Sequence, residues 1–309
     1  MAIKATAVIV VTCNSAAHLP CLIASLNNQT TKEFKVFFVD NASKDETVLY
    51  LQSCSKNFKW DFIFLPANTG FAAGNNKGIL RALEEGFRYV MIVNPDMEFH
   101  PSCIQELAAL LDRYPETGMT GPVVLYGGNK KAENLIQVYG VKANFNTQKK
   151  AMLYTGQHLS PAIPSVLEVD YVNGGSMMVR AEVFKTAGLF EEDYFMYNDE
   201  LDLAFRMHQQ GYRVMTTRQA IVWHHHDWTK KNKRGYFLMY YYGIRNKYLY
   251  FIKWKLYKEM IREAVLEIFL FPYRIAWAVK TADLRLLWYY YLGFVHGFLQ
   301  KKGKSTMWE

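Results

Sequence analysis

The sequence predicts an α/β fold: a mixed, mostly parallel central sheet flanked by helices, followed by a C-terminal helical, basic-aromatic extension. Three observations carry this expectation. Over the first 125 residues short β-branched runs alternate with helix-period patterns, the signature of βαβ units. Each apolar run ends in a polar cluster, and in an open α/β sheet the ligand binds beyond the carboxyl ends of the strands. Charge then shifts along the chain: residues 230–309 hold 16 Lys and Arg against 5 Asp and Glu, a net of +11, while the whole chain is +8.

Strands are expected at residues 6–12, 35–40, 61–65, 89–94 and 119–125, with helices between them. The apolar run in MAIKATAVIVVTCN is only about seven residues long and has no small-residue cleavage site, so it reads as a buried strand and not a secretory leader. The strand-end clusters are Thr12-Cys13-Asn14, Asp40-Asn41-Ala42-Ser43, Asn68-Thr69-Gly70 and Asn94-Pro95-Asp96. Residues 127–164 read as loops with a hairpin. A strand over 169–179 is broken by Gly174-Gly175, a helix spans 199–210 and stops at Gly211, and strands at 213–217 and 220–223 deliver His224-His225-His226. The tail has helical periodicity, but its longest near-apolar run, 268–279, is interrupted by Pro272 and Arg274 and is too short to span a bilayer. Helices lying on a membrane surface, or a plain helical subdomain, are the two readings of it. The expected division is 1–229 and 230–309, the latter a membrane-surface or acceptor-binding extension.

Four cysteines sit at no metal-ligand spacing, so neither a zinc site nor a disulfide framework is expected, and a reducing cytoplasm fits. The segment GFAAGNNKG matches neither G-x-G-x-x-G nor the P-loop pattern, which weakens dehydrogenase and NTPase readings. No recognition motif accompanies the basic tail, so nucleic acid is not an expected partner. A basic and aromatic tail suits an anionic, partly apolar partner instead.

Asn94-Pro95-Asp96 is either a turn or a carboxylate able to hold a divalent cation while phosphates complete its shell. Adjacent strand residues point to opposite faces, so His224-His225-His226 offers one imidazole, at most two, to any one site. Asn198-Asp199-Glu200-Leu201-Asp202 is readable as a helix start with an Asp202–Arg206 ion pair. Yet Phe195, Met196 and Tyr197 lead straight into these acids, and carboxyls in apolar surroundings have raised pKa values suited to accepting a proton.

Six segments in this order, VVTCNSAAHLPCLIASL, VDNASKDET, NTGFAAGNNKGI, VNPDMEF, VNGGSMMVRAEVFKTAGLFEEDYFMYNDELDLAFRMHQQGY and AIVWHHHDWT, resemble glycosyltransferase family 2. That family comprises inverting enzymes of the single-domain, Rossmann-like GT-A fold. The likeness is narrower still to its rhamnosyltransferase-like branch, which YYYGIRNKYL in the tail also fits. The resemblance implies that Thr12 and Asn14 border the nucleotide and that Asp40 hydrogen-bonds the nucleobase, with Asn41, Asp45, Asn68, Gly70 and Asn75 completing the pocket. Asn94-Pro95-Asp96 stands where many relatives have Asp-x-Asp, so it implies Asn94 beside the donor and Asp96 with His224 as ligands of Mg²⁺ or Mn²⁺. Gly174 and Gly175 let backbone approach a sugar. The family's Glu-Asp-x-Asp-Leu is exchanged here to Asp-Glu-Leu-Asp-Leu, so Glu200 occupies the catalytic position and Asp199 competes for it.

The implied reaction is a single inverting displacement from dTDP-L-rhamnose, or a UDP-hexose second, onto a polysaccharide or lipid-linked glycan. The expected place is the cytoplasm, peripheral on the inner face of the cell membrane against anionic headgroups, with room for a homo-oligomer. The rival reading is a non-catalytic, nucleotide-sugar-binding membrane-surface scaffold. A sugar nucleotidyltransferase lacks its Gly-rich N-terminal loop here.

Overall fold

The computed structural model describes residues 4–225, 233–280 and 284–306. The chain opens with β1 (Lys4–Thr12), α1 (Leu19–Asn27), β2 (Phe34–Asp40), α2 (Thr47–Ser53), β3 (Lys59–Phe64), α3 (Gly70–Glu84) and β4 (Phe87–Val93). These four strands are parallel in the order β4-β1-β2-β3. Near-continuous apolar runs in β1, β2 and β4 suit strands covered on both faces, whereas β3, at the sheet edge, leaves Trp60 and Phe64 exposed.

The sheet continues past β4 with later elements. These are β5 (Met97–Phe99), α4 (Cys103–Arg113), β6 (Thr117–Tyr126), β7 (Ile136–Val138), β8 (Val141–Asn144), β9 (Lys149–Met152), β10 (Val166–Val169), β11 (Ser176–Arg180), α5 (Ala181–Thr186), α6 (Asp199–Gln209) and β12 (Arg213–His224). The order from this side is β10-β12-β6-β11-β4, with β11 antiparallel to both neighbours. Two apolar layers sandwich the sheet, one including Leu22, Leu26 and Leu107 from α1 and α4, the other including Ile79, Val183 and Leu203 from α3, α5 and α6.

Three details differ from the sequence reading. The stretch 169–179 is two strands in different places, because the Asn173 side chain accepts from Gly175 N at 2.9 Å and turns the chain out of the sheet. The stretch 213–223 is instead one strand, with a register shift between Thr217 and Ile221 that absorbs Arg218, Gln219 and Ala220. Residues 127–164 hold the expected hairpin, β8–β9, and in addition β7, a strand of three residues too short to show an alternation in sequence.

The tail forms α7 (Lys233–Lys253), α8 (Tyr257–Lys280) and α9 (Leu284–Phe298). Helix α7 shares a core with α6: Tyr248, Tyr250 and Phe251 pack with Tyr171, Leu201 and Ala204. Helix α9 lies close on α7 because Gly293 and Gly297 admit backbone contact; a Cβ at Gly293 would sit 2.5 Å from Tyr241 O. Among the described residues no helix is long and apolar enough to cross a membrane.

Helix α3 is seated on β1 through Gly78, where a Cβ would lie 2.4 Å from Ile9 Cγ2 and 3.2 Å from Val39 Cγ2. Gly78→Val is therefore expected to destabilise the fold by about 1–3 kcal/mol, since both neighbours are strand residues in a close-packed layer. Urea unfolding measures this; a loss under about 0.5 kcal/mol would mean that α3 lifts freely off the sheet.

Candidate active site

The carboxyl ends of β1 and β2 form one wall. Thr12 is fully buried and its hydroxyl donates to Asp40 Oδ1 at 3.1 Å, while Ser43 N donates to Oδ2 at 3.1 Å, so the Asp40 carboxylate is fixed in orientation. Asn14 takes a left-handed backbone (φ 53°) and accepts from Lys44 N at 2.7 Å, which stitches the β1 turn to the β2 turn. Asp45 serves the same seam. Burial acts upward on its carboxyl, but bonds from Thr47 and Ala16 outweigh this and hold it below the usual carboxylate range.

The next turn leads from β3 into α3 and is tied to the end of β2. Asn41 Nδ2 donates to Gly70 O at 3.0 Å and its Oδ1 accepts from Thr69 N at 2.8 Å, while Asn68 Oδ1 accepts from Gly70 N at 2.9 Å. Asn75, one turn into α3, donates to Phe71 O at 2.9 Å, and its buried Oδ1 has no hydrogen-bond partner among the described residues. Thr12, Asn14, Asp40, Asn41, Asp45, Asn68, Gly70 and Asn75 thus line one edge of the sheet.

The second corner lies between β4, β5 and β12. Asn94 N donates to Gly175 O at 2.9 Å, and a Cβ on Gly175 would meet Met97 Cε at 2.4 Å and Asn94 Nδ2 at 3.3 Å. Asp96 O accepts from His225 N at 2.9 Å. His224 Nε2 lies 3.2 Å from Asp96 Oδ2, and its Nδ1 is 2.9 Å from Gln137 Oε1. The two ring nitrogens therefore lie against oxygens, one of an amide and one of a carboxylate. His225 turns the other way, accepting from Gly128 N on Nδ1 and donating from Nε2 to Glu98 at 2.8 Å. One of these two imidazoles therefore faces Asp96, as strand alternation predicts; His226 lies outside the described residues. Among the described residues no three His, Cys, Asp or Glu side chains gather to hold a metal ion by themselves.

The acids come from the loop before α6. Phe195, Tyr197 and Asn198 all have positive φ, near 66–72°, an uncommon cluster for residues with side chains. Main-chain bonds from the tail hold them: Asn246 Nδ2 donates to Tyr194 O, Met196 O and Tyr197 O at 2.7–3.0 Å, and Arg245 Nη2 donates to Tyr194 O at 2.7 Å. Phe195 O in turn accepts from Phe71 N at 2.6 Å, and a Cβ on Gly70 would sit 2.2 Å from that oxygen.

Glu200 is partly exposed and faces the glycine turn; a Cβ on Gly174 would lie 3.4 Å from its carboxyl carbon. Asp199 is the reverse. It is buried, neither carboxyl oxygen has a hydrogen-bond partner among the described residues, and burial, with the Glu200 charge beside it, pushes its carboxyl well above the ordinary range toward the neutral form. Asp202 is structural: it accepts from Arg206 at 3.0 Å, Lys253 at 3.0 Å and Trp254 at 2.9 Å. Asn76, Gln137, Arg245 and Asn246 were not singled out from sequence for this site. Asn76 joins α3 to the acid loop through Phe190 O and Glu192 at 2.9 Å each.

Against known proteins, the family model "Glycosyl transferase family 2" matches residues 7–169. The "N-acetylglucosaminyl-diphospho-decaprenol L-rhamnosyltransferase" of Mycobacterium tuberculosis (strain ATCC 25618 / H37Rv) is 27% identical over 237 residues, covering 71% of this chain and 75% of that protein. "Rhamnosyltransferase WbbL" of Escherichia coli (strain K12) is 24% identical over 233 residues, covering 71% and 84%. In the solved structure of GalNAc-T7 with UDP, GalNAc and Mn2+, 73% of this chain superposes on 44% of that one with a TM-score of 0.57 at 12% identity, a likeness of fold.

A carboxyl whose folded pKa exceeds its unfolded value of about 3.9 keeps a proton in the folded state that the unfolded chain releases. Its stability contribution is complete below the unfolded pKa and declines as pH rises through the folded one. Asp199→Asn, which keeps the shape and removes the titration, is expected to gain in Tm relative to the parent at pH 8 compared with pH 4. An offset independent of pH would contradict a neutral Asp199.

Proposed function

The chain belongs to glycosyltransferase family 2, in its rhamnosyltransferase-like branch, and from that premise we propose inverting transfer of L-rhamnose or another hexose from a nucleoside-diphosphate sugar to a glycan or lipid-linked glycan. The observation that carries this reading is the Gly174-Gly175 turn, whose bare backbone has Glu200 on one side and Asn94 with Met97 on the other. A sugar resting there would have a carboxylate at one end and the Asp96 corner at the other. We take dTDP-L-rhamnose as the first donor and UDP-hexoses as the second; support comes from the two rhamnosyltransferase relatives and the UDP in the GalNAc-T7 structure. Support for a lipid-linked acceptor is the N-acetylglucosaminyl-diphospho-decaprenol in the mycobacterial relative's name. The reaction is assigned to the cytoplasmic side of a membrane, with the protein peripheral to it.

The geometry supports the following roles. Asp40, held by Thr12, accepts from the nucleobase, and Asn14, Asn41, Asp45, Asn68, Gly70 and Asn75 shape the walls around it. Glu200 is the base: it takes the proton of the acceptor hydroxyl as that oxygen bonds to the sugar's anomeric carbon and the bond to the diphosphate breaks on the opposite face. Asp199 is the weaker candidate, because a buried carboxyl that already holds its proton cannot accept another from the acceptor hydroxyl. Asp96 and His224, brought within 3.2 Å of each other, are the side chains that would hold Mg²⁺ or Mn²⁺. Such an ion, when bound, supplies charge neutralisation to the leaving group.

The test is turnover of a nucleotide-sugar panel with Mg²⁺ or Mn²⁺, alongside donor binding by calorimetry. Glu200→Gln is expected to lower kcat by about 10²–10⁴-fold with donor affinity retained. Asp96→Asn is expected to weaken donor binding and its response to the ion. If dTDP-rhamnose and every UDP-hexose fail with both ions, the donor reading falls; if donor binds but no product forms even in the parent protein, the scaffold reading replaces it.

A further inference from the structure

Helix α8 is built inside out for a protein in water. Two of its three acids point inward: Glu263 and Glu267 are only 8% and 9% exposed. Glu263 accepts from Lys247 of α7 at 2.6 Å. Glu267 takes both Arg274 Nε and Nη2 at 2.8 Å, and Tyr290 of α9 donates to it at 2.7 Å. Across residues 264–276 Glu267 and Arg274 are the charged side chains, and they neutralise each other beneath the helix. The outward positions are hydrocarbon and aromatic: Ile261, Val265, Ile268, Phe269, Tyr273 and Ile275, with Ile268, Phe269 and Tyr273 more than 70% exposed. Placing bulky apolar groups outside and an ion pair inside is unfavourable against water and favourable against lipid.

We infer that the outer face of α8 inserts into the headgroup and upper acyl layer of an anionic bilayer, lying in its plane. Exposed Lys255, Lys258 and Arg262 stand at the entry to α8, so cations accompany the apolar row as an anionic surface requires. Aromatic Tyr257, Tyr273 and Trp288 are exposed with it, the residue types that settle at the interface depth. A second copy of the chain is a poorer occupant, because it would bring together two segments each carrying a net charge of +11 over residues 230–309. The inference gives a physical form to the lipid-linked acceptor reading and rests on it for its purpose, while the contact is measurable without any sugar transfer.

The experiment is flotation of the full chain with vesicles of 70% phosphatidylcholine and 30% phosphatidylglycerol, beside pure phosphatidylcholine. The parent is expected to float with the anionic vesicles, and Ile268→Glu/Phe269→Glu to partition at least tenfold less at an unchanged Tm. One molar salt is expected to weaken the parent's binding. If the double variant does not fold, Phe269→Ser/Tyr273→Ser reads the same face. Equal flotation of parent and variants overturns the inference, as does a lipid-independent dimer that the variants abolish, which would assign the face to a second copy. Transfer to a water-soluble acceptor is expected to be equal in parent and variants; loss of transfer from every donor with flotation intact would remove the sugar-transfer reading and leave the membrane face standing.

Discussion

The site depends on one clamp, the Arg245–Asn246 pair of α7 gripping the main chain of residues 193–197. Arg245 is fully buried, its guanidinium donating to Asp193 O, Tyr194 O, Gly303 O and the Asn246 side chain and lying over the Tyr242 ring at 4.6 Å. A left-handed residue with a side chain costs about 1–2 kcal/mol, and this loop has three in four positions. Hydrogen bonds involving a charged group contribute about 1.5–3 kcal/mol each, so the guanidinium bonds alone are of the size needed to hold the strained turn. Released from the clamp, Tyr197 and Asn198 would relax to ordinary backbone and the start of α6 would rotate. Glu200 would leave the glycine turn.

The tail is therefore more than an appendage to the sheet. Its first helix supplies the clamp, and Lys253 and Trp254 complete the shell of Asp202. Its second helix turns its charges inward and its hydrocarbon outward. One segment thus braces the acids and faces the medium, and the +11 charge that marked it in sequence belongs to both tasks.

Much of the site was legible before any coordinates. The ends of parallel strands must lie on one edge, so Thr12, Asp40 and Asn94 were predictable as neighbours from their place after apolar runs. Strand alternation separated His224 from His225. The antiparallel insertion of β11 was not legible, because periodicity gives a strand's existence and not its neighbours. The exchange of Asp199 and Glu200 looked ambiguous because chain order says nothing of depth; in the fold one is buried and the other faces the turn. The Arg245–Asn246 clamp was visible as a segment and invisible as a function, since its targets are carbonyls that every residue possesses.

The bond from Phe71 N to Phe195 O ties the loop that would hold the nucleotide to the loop that carries the acids, with Gly70 admitting the contact. The start of α3 and the loop of residues 195–200 consequently do not vary independently in this scaffold. Reshaping the start of α3 displaces the loop that carries Asp199 and Glu200 through a single 2.6 Å link, so a change there has to be met by a compensating change in residues 195–200. Substitutions that keep the fold while altering one of these loops therefore come in pairs across that link, and a change made on one side alone leaves the other out of place.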